Sequence, residues 1–195
     1  IFSFLILGQR KSITKEEYSE DAKKYSVLAN NLKSKLKPLF WDNNNQAFMH
    51  AIEDGEINRQ ITKFPNMFAI IYDIINDKDK QTILKSVMLN PDIEKITTPY
   101  MRFYELEALC QMGLQQEVLP EIISYWGGMI DNGATSFWEK YNPQDKNEEH
   151  LAMYGRPYGK SLCHAWGASP IYLLGKYYLG IAPTKAGYEE YVVKP

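Results

Sequence analysis

Apolar positions recur at spacings of three and four through Tyr18, Ala22, Tyr25, Leu28, Leu32, Leu36 and Leu39. That period predicts an amphipathic helix of roughly 23 residues. Thr14-Lys15-Glu16-Glu17 supplies a capping box for it, with Thr at the N-cap and Glu at N3, and Pro38 marks its end. Phe40-Trp41-Asp42-Asn43-Asn44-Asn45 then reads as a turn, and Gln46 to Ala51 as a short strand closed by Glu53-Asp54-Gly55. Pro65 fits the first turn of a second helix, Asn66 to Ile75. Asp77-Lys78-Asp79 opens a third, with Ile83, Leu84, Val87 and Met88 on one face and Asn90-Pro91 as its stop. Thr98-Pro99 reads as N-cap and N1 of a fourth, which runs through Phe103, Leu106 and Leu109 to Gly113. A fifth carries Val118, Ile122, Ile123, Trp126 and Met129, and ends at Gly127-Gly128 or at Asp131-Asn132-Gly133. A sixth is predicted from about Ser161, with Pro170 kinking or restarting it before Gly180.

The pattern is mainly α: six helices, paired as three hairpins. No strict sequence repeat is visible, which disfavours a short-period solenoid. Three hairpins with long, aromatic-containing connections suit about half of an (α/α)6 toroid. In such a ring the loops at one end hold the chemistry. Thr98-Pro99-Tyr100, Gly133 to Tyr141 and Gly155 to His164 are then expected to converge. Between them, Asn142 to Lys160 is long and polar, and loops of this length in a compact domain are usually functional or disordered. Helical hairpins are expected over 1–180, and 181–195 reads as a linker with the first strand of a β-domain. The opening Ile1-Phe2-Ser3-Phe4-Leu5-Ile6-Leu7 reads as the interior of a longer chain.

Composition narrows the function classes. Net charge is −2 with 24% charged residues and no basic stripe, which argues against nucleic acid as a partner. The apolar runs at 1–7 and 171–180 are too short to span a bilayer, so no membrane partner is expected. Fourteen Tyr, eight Phe and four Trp suit sugar stacking and a helical core alike. Cys110 and Cys163 form no C-x-x-C pair and are expected as buried free thiols. His50, His150 and His164 lack metal-ligand spacing.

Glu139 is the candidate catalytic group. It follows Ser136-Phe137-Trp138, where an apolar wall would desolvate the carboxylate and raise its pKa. A carboxylate so tuned serves as a general acid or base. The plainer alternative places Trp138 in the core and pairs Glu139 with Lys140 or Arg156 at the surface. Glu105 and Glu107 read as helix-surface charges, and Arg156 and Tyr158 as loop anchors.

Three stretches carry a family resemblance. They are Thr98-Pro99-Tyr100-Met101-Arg102-Phe103-Tyr104-Glu105-Leu106-Glu107-Ala108-Leu109, Gly133-Ala134-Thr135-Ser136-Phe137-Trp138-Glu139, and Ser161-Leu162-Cys163-His164-Ala165-Trp166-Gly167-Ala168-Ser169-Pro170. The chain resembles the C-terminal half of the six-hairpin catalytic domain of bacterial α-L-rhamnosidases, glycoside hydrolase family 78. The resemblance implies inverting hydrolysis of α-L-rhamnosyl residues, with a rhamnose-containing oligosaccharide or glycoside as substrate and no cofactor. It implies Glu139 as general base, Trp138 as an aromatic wall and His164 as a substrate contact; apart from it, Tyr100, Arg102 and Tyr104 are expected to include a further substrate-binding residue, with Tyr100 and Arg102 the candidates. The family's general acid lies upstream, and neither Glu16-Glu17 nor Glu20-Asp21 matches its pattern, so the isolated chain is expected to be inactive. Another (α/α)6 glycosidase or lyase, or a non-catalytic helical carbohydrate-binding module, stays open as an alternative.

Overall fold

The computed structural model describes residues 19–195. The capping box at Thr14–Glu17, Tyr18 and the apolar opening lie outside the described residues. The chain divides into two compact units, Ile1–Glu94 with Ala182–Val193, and Lys95–Ile181 with Lys194–Pro195. Among the described residues, no helix is long and apolar enough to cross a membrane.

In the first unit, helix α1 (Ser19–Phe40) runs into β1 (Trp41–Asp42). Asp42 Oδ1 accepts from the backbone N–H of Asn44 at 2.7 Å and of Asn45 at 3.2 Å. This turn reverses the chain into β2 (Ala47–Glu53), which pairs antiparallel with β1. Asp54 and Gly55 both take positive φ, at 51° and 85°. That is the geometry of a tight hairpin turn, and it returns the chain as β3 (Glu56–Ile61). The strand expected over Gln46 to Ala51 is β2, whereas β3 was not expected; its half-exposed, polar sequence accounts for that.

Helix α2 (Lys63–Ile71) begins earlier and ends earlier than predicted, because Asp73 takes φ 54° and breaks the helix. Ile74 and Ile75 remain buried beyond its end. Asn66, fully buried, fastens α2 to the sheet. Its Oδ1 accepts from Phe48 N–H at 2.9 Å, and its Nδ2 donates to Phe48 O at 3.0 Å and Thr62 O at 2.8 Å. Such full pairing is what makes a buried amide tolerable. Asn76 caps α3 (Asp77–Ile83) by accepting from Asp79 N–H, and a wider π-turn over Leu84–Met88 extends it. Ile83, Leu84, Val87 and Met88 form one buried face, as predicted.

In the second unit, Thr98 is the N-cap and Pro99 the first residue of α4 (Pro99–Gln111). Gly113 follows at φ 81°, the left-handed position expected beyond a helix end. Helix α5 (Gln115–Asp131) returns against α4 and reaches Asp131, the later of the two predicted ends. The third helix of this unit, α6 (Ser169–Tyr177), also packs on α4. It starts at Ser169, not near Ser161. The intervening stretch is extended, with one 3-10 turn at Ala165–Gly167, since the backbone groups of Ser161 and His164 bond elsewhere in the unit. Pro170 occupies the first turn of α6, where its missing N–H costs nothing. Near the C-terminus, β4 (Ile181–Pro183) and β5 (Tyr191–Val193) pair as a two-stranded ribbon, of which Ala182–Val193 is grouped with the first unit.

Two expectations for α4 are corrected. Glu105 and Glu107 are buried, not surface charges. Glu105 Oε2 accepts from Arg102 Nη1 at 2.7 Å, and Arg102 Nη2 also donates to Glu121 on α5. Glu107 Oε1 accepts from Gln111 Nε2 at 3.1 Å, Lys176 Nζ at 2.8 Å and Tyr177 OH at 2.7 Å. Buried charges persist only when paired in this way. The two thiols also differ. Cys110 is buried and free, while Cys163 is free but exposed. Burial, reinforced by Glu107, pushes the Cys110 thiol up to about 12.

Along α5, Leu119, Ile123 and Ile130 are spaced four and seven apart and share one uncovered stripe; Ile123 is 63% and Ile130 68% exposed. Apolar stripes of this kind drive association. The 195-residue chain produced alone is expected to self-associate, and Ile123→Glu with Ile130→Glu to shift it toward monomer. Sedimentation velocity checks this. Identical profiles for the two proteins would remove the stripe from the contact.

Candidate active site

The site is built from two irregular segments of the second unit, laced antiparallel by their backbones. His164 N–H donates to Phe137 O at 2.8 Å, and Glu139 N–H donates to Ser161 O at 3.0 Å. Helix α5 holds the surroundings in place with two rings. Tyr125 OH donates to Thr97 O at 2.6 Å and accepts from Tyr141 N–H at 3.3 Å. Trp126 Nε1 donates to Gly167 O at 2.8 Å. Space is tight enough to require glycine twice. A Cβ on Gly167 would stand 2.9 Å from Phe137 Cβ and 3.0 Å from Trp138 O, and one on Gly128 would collide with the Tyr141 ring.

Glu139 is 5% exposed, and both carboxylate oxygens are engaged. Oε1 accepts from Tyr154 OH at 2.6 Å, and Oε2 from Ser161 N–H at 3.0 Å. His164 Nδ1 stands 4.0 Å from Oε2. The electrostatic outcome reverses the sequence expectation. Hydrogen bonds from Tyr154 and Ser161 hold the Glu139 carboxyl below its ordinary value; burial opposes them, and the nearby His164 and Lys160 reinforce them. Hydrogen bonds to the charged form outweigh desolvation here. Glu139 is therefore a carboxylate at neutral pH.

The predicted convergence of three loops is present. Trp166 Nε1 donates to Glu139 O at 3.2 Å. The Trp166 ring lies 4.0 Å from His164 and stacks on Tyr100 at 5.5 Å, with an interplanar angle of 22°. Tyr100 in turn meets Tyr104 edge-on at 5.7 Å. Trp166 and Tyr100 are both exposed, and His164 is half-buried. Together they form an open aromatic face beside the carboxylate. Trp138 is 3% exposed, as the core reading had it. Its ring is tilted at 45° against buried His150, 6.1 Å away, and Lys160 Nζ sits 4.5 Å from its centroid. Burial pulls the Lys160 ammonium below its ordinary value. Arg102 is buried in its ion cluster with Glu105 and Glu121, over the Tyr125 ring at 5.5 Å.

Two participants were not picked out from the sequence, Tyr154 and the Ser161 N–H. Tyr154 comes from the long polar segment, whose length was the available signal. The carboxylate meets Tyr154, Ser161 and His164, and not Lys140 or Arg156 as in the surface pairing.

Residues 5–178 match the family described as the bacterial alpha-L-rhamnosidase 6 hairpin glycosidase domain. No curated protein matches the chain. Among solved structures, it is similar to a rhamnosidase from Klebsiella oxytoca with rhamnose bound, at 28% identity and TM-score 0.68, over 83% of this chain and 30% of that one. It is also similar to the GH78 family rhamnosidase of Bacillus sp. GL1, at 27% identity and TM-score 0.76, over 90% of this chain and 18% of that one. The chain thus spans less than a third of either protein.

Gly167→Ala tests the lacing. The new methyl group meets a backbone oxygen, Trp138 O, which moves only with the segment that carries Glu139. Overpacking of this kind costs about 1–3 kcal/mol. Urea unfolding is expected to show a loss in that range, and an unchanged midpoint would mean that the segments yield freely.

Proposed function

We propose, from the premise that the chain belongs to the family of bacterial α-L-rhamnosidase six-hairpin glycosidase domains, that the protein carrying it hydrolyses terminal α-L-rhamnosyl residues with inversion. Glu139 is the general base in this reading. The observation that carries it is the Glu139 carboxylate, held ionised and buried beside the exposed faces of Trp166 and Tyr100. The rhamnose-bound relative supports a rhamnosyl ligand for such a face.

Glu139 takes a proton from a water molecule as the water oxygen bonds to the anomeric carbon. The glycosidic bond breaks on the opposite face of the ring, and its oxygen receives a proton from a second carboxylic acid. Inverting pairs stand roughly 6.5–9.5 Å apart, which leaves room for the water. We assign the acid to a part of the full-length protein outside this chain, so the chain alone is expected to be inactive. A carboxylate oxygen has two acceptor sites, and each oxygen of Glu139 has one in use, leaving capacity for the water. His164 contacts sugar hydroxyls beside the base. Trp166 and Tyr100 offer the stacking face, and Trp138 shapes the aromatic wall. Arg102 acts through the α4 terminus that it anchors.

Glu139→Gln in the full-length protein tests the assignment. Gln keeps the shape but cannot accept the proton. Hydrolysis of an aryl α-L-rhamnoside is expected to lose about 10²–10⁴-fold in kcat, with KM little changed. Near-normal turnover would remove Glu139 as the base. His164→Ala is expected to raise KM as well as lower kcat. Proton NMR of the first-formed sugar anomer checks inversion, and a retained anomer would overturn it.

A further inference from the structure

The segment from Asn142 to Lys160 is folded down by its own contacts. Residues Asn147–Leu151 form a 3-10 turn, and Lys160 N–H donates to Leu151 O at 3.1 Å. His150 is buried and stacks on Tyr141 at 5.6 Å, with the rings 9° apart. Beyond it, Met153 and Arg156 exchange backbone hydrogen bonds of 3.0 and 2.9 Å around a two-residue turn. The turn residues are Tyr154 and Gly155, with φ of 55° and 71°.

A turn with two positive φ values favours Asn or Asp before Gly, and an aromatic side chain is an uncommon occupant of the first position. Packing does not explain the tyrosine, because Tyr154 is 69% exposed. Its polar contact does: the hydroxyl reaches Glu139 Oε1 at 2.6 Å. Backbone outliers held in place by one polar contact point to function.

We infer that Tyr154 is a positioning residue of the hydrolysis, a phenol carried on a turn closed by two backbone hydrogen bonds so as to fix the orientation of the Glu139 carboxylate. The inference rests on Glu139 as the base, and so deepens that reading. The hydrogen bond acts on both partners in the expected sense, since it lowers the Glu139 carboxyl and raises the Tyr154 phenol. The other groups facing Glu139 are the Ser161 N–H, His164 and the Lys160 ammonium, all of which favour the charged form as well. Removing the phenol leaves these in place and weakens the preference for the carboxylate without abolishing it.

The test is the pH dependence of kcat/KM in the full-length protein, with an aryl α-L-rhamnoside as substrate. A group whose folded pKa is depressed loses its charged form as pH falls, so the acid limb reports Glu139. Tyr154→Phe keeps the ring and removes the donor. Its acid limb is expected to move toward neutrality, because the bond that most lowers the Glu139 carboxyl is lost. Tyr154→Asn, which tolerates the left-handed backbone, should shift the limb equally and so separates the hydroxyl from the turn. An unmoved acid limb in both variants overturns the role of Tyr154. The parallel Glu139→Gln measurement keeps the two claims apart. If that variant is inactive while the Tyr154 limbs stay put, only this inference falls; if it turns over normally, the base assignment falls first.

Discussion

The backbone lacing of Phe137–Glu139 against Ser161–His164 is the contact on which the site depends. Neither segment is a helix or a strand of a sheet, so neither has an internal ladder to satisfy its peptide groups. Each supplies the other's partners, through bonds of 2.8 and 3.0 Å. Buried peptide groups must be paired, so the lacing fixes the register of one segment on the other. That register places the Ser161 N–H on the carboxylate it neighbours and brings His164 and Trp166 alongside. The Trp166 indole adds to this by donating to the Glu139 carbonyl, so one ring serves as both strut and stacking surface.

Ion pairs with one buried partner each join the helices of the second unit. Arg102 links α4 to α5 through Glu121, and Glu107 links α4 to α6 through Lys176 and Tyr177. Burial alone would pull the Lys176 ammonium down, but its bonds to Glu107, Tyr172 and Tyr177 hold it above its ordinary value. Breaking one partner of a buried pair leaves an uncompensated charge, which is far more costly than losing an exposed pair. Polar pairs of this geometry also discriminate between helix registers that apolar contacts alone would tolerate. The aromatic face therefore rests on helices whose sliding is opposed by fixed charges.

Much of the second unit was legible in the sequence because its signals are local. Thr98-Pro99 at the start of α4 and Gly113 beyond its end follow from cap chemistry that needs no tertiary context. The site segments were legible through family resemblance, not through periodicity. What stayed hidden depended on distant partners. The stretch from Ser161 to Ala168 has helical spacing, yet its backbone is claimed by residues 137 and 139. Glu107 looks like a surface charge until Lys176 and Tyr177, on another helix, are placed over it. The direction of the Glu139 shift turned on Tyr154, 15 residues away in a loop whose path no local rule dictates. The Asp54-Gly55 turn was local and readable, but the strand after it, Glu56 to Ile61, is too polar to show a clear alternation.

The Glu107–Lys176 pair has a consequence for the chain's evolution. Its partners are 69 positions apart, and the site segments are strung between them. A span already that long is cheap to lengthen, since each doubling of a flexible loop costs only about 0.6 kcal/mol in closure entropy. Residues can accordingly be added to the Asn142–Lys160 connection with little penalty to the clasped helices, provided the lacing and the Tyr154 turn keep their places. The clasp thus separates the part of the chain that fixes the helices from a connection that can lengthen at little entropic cost.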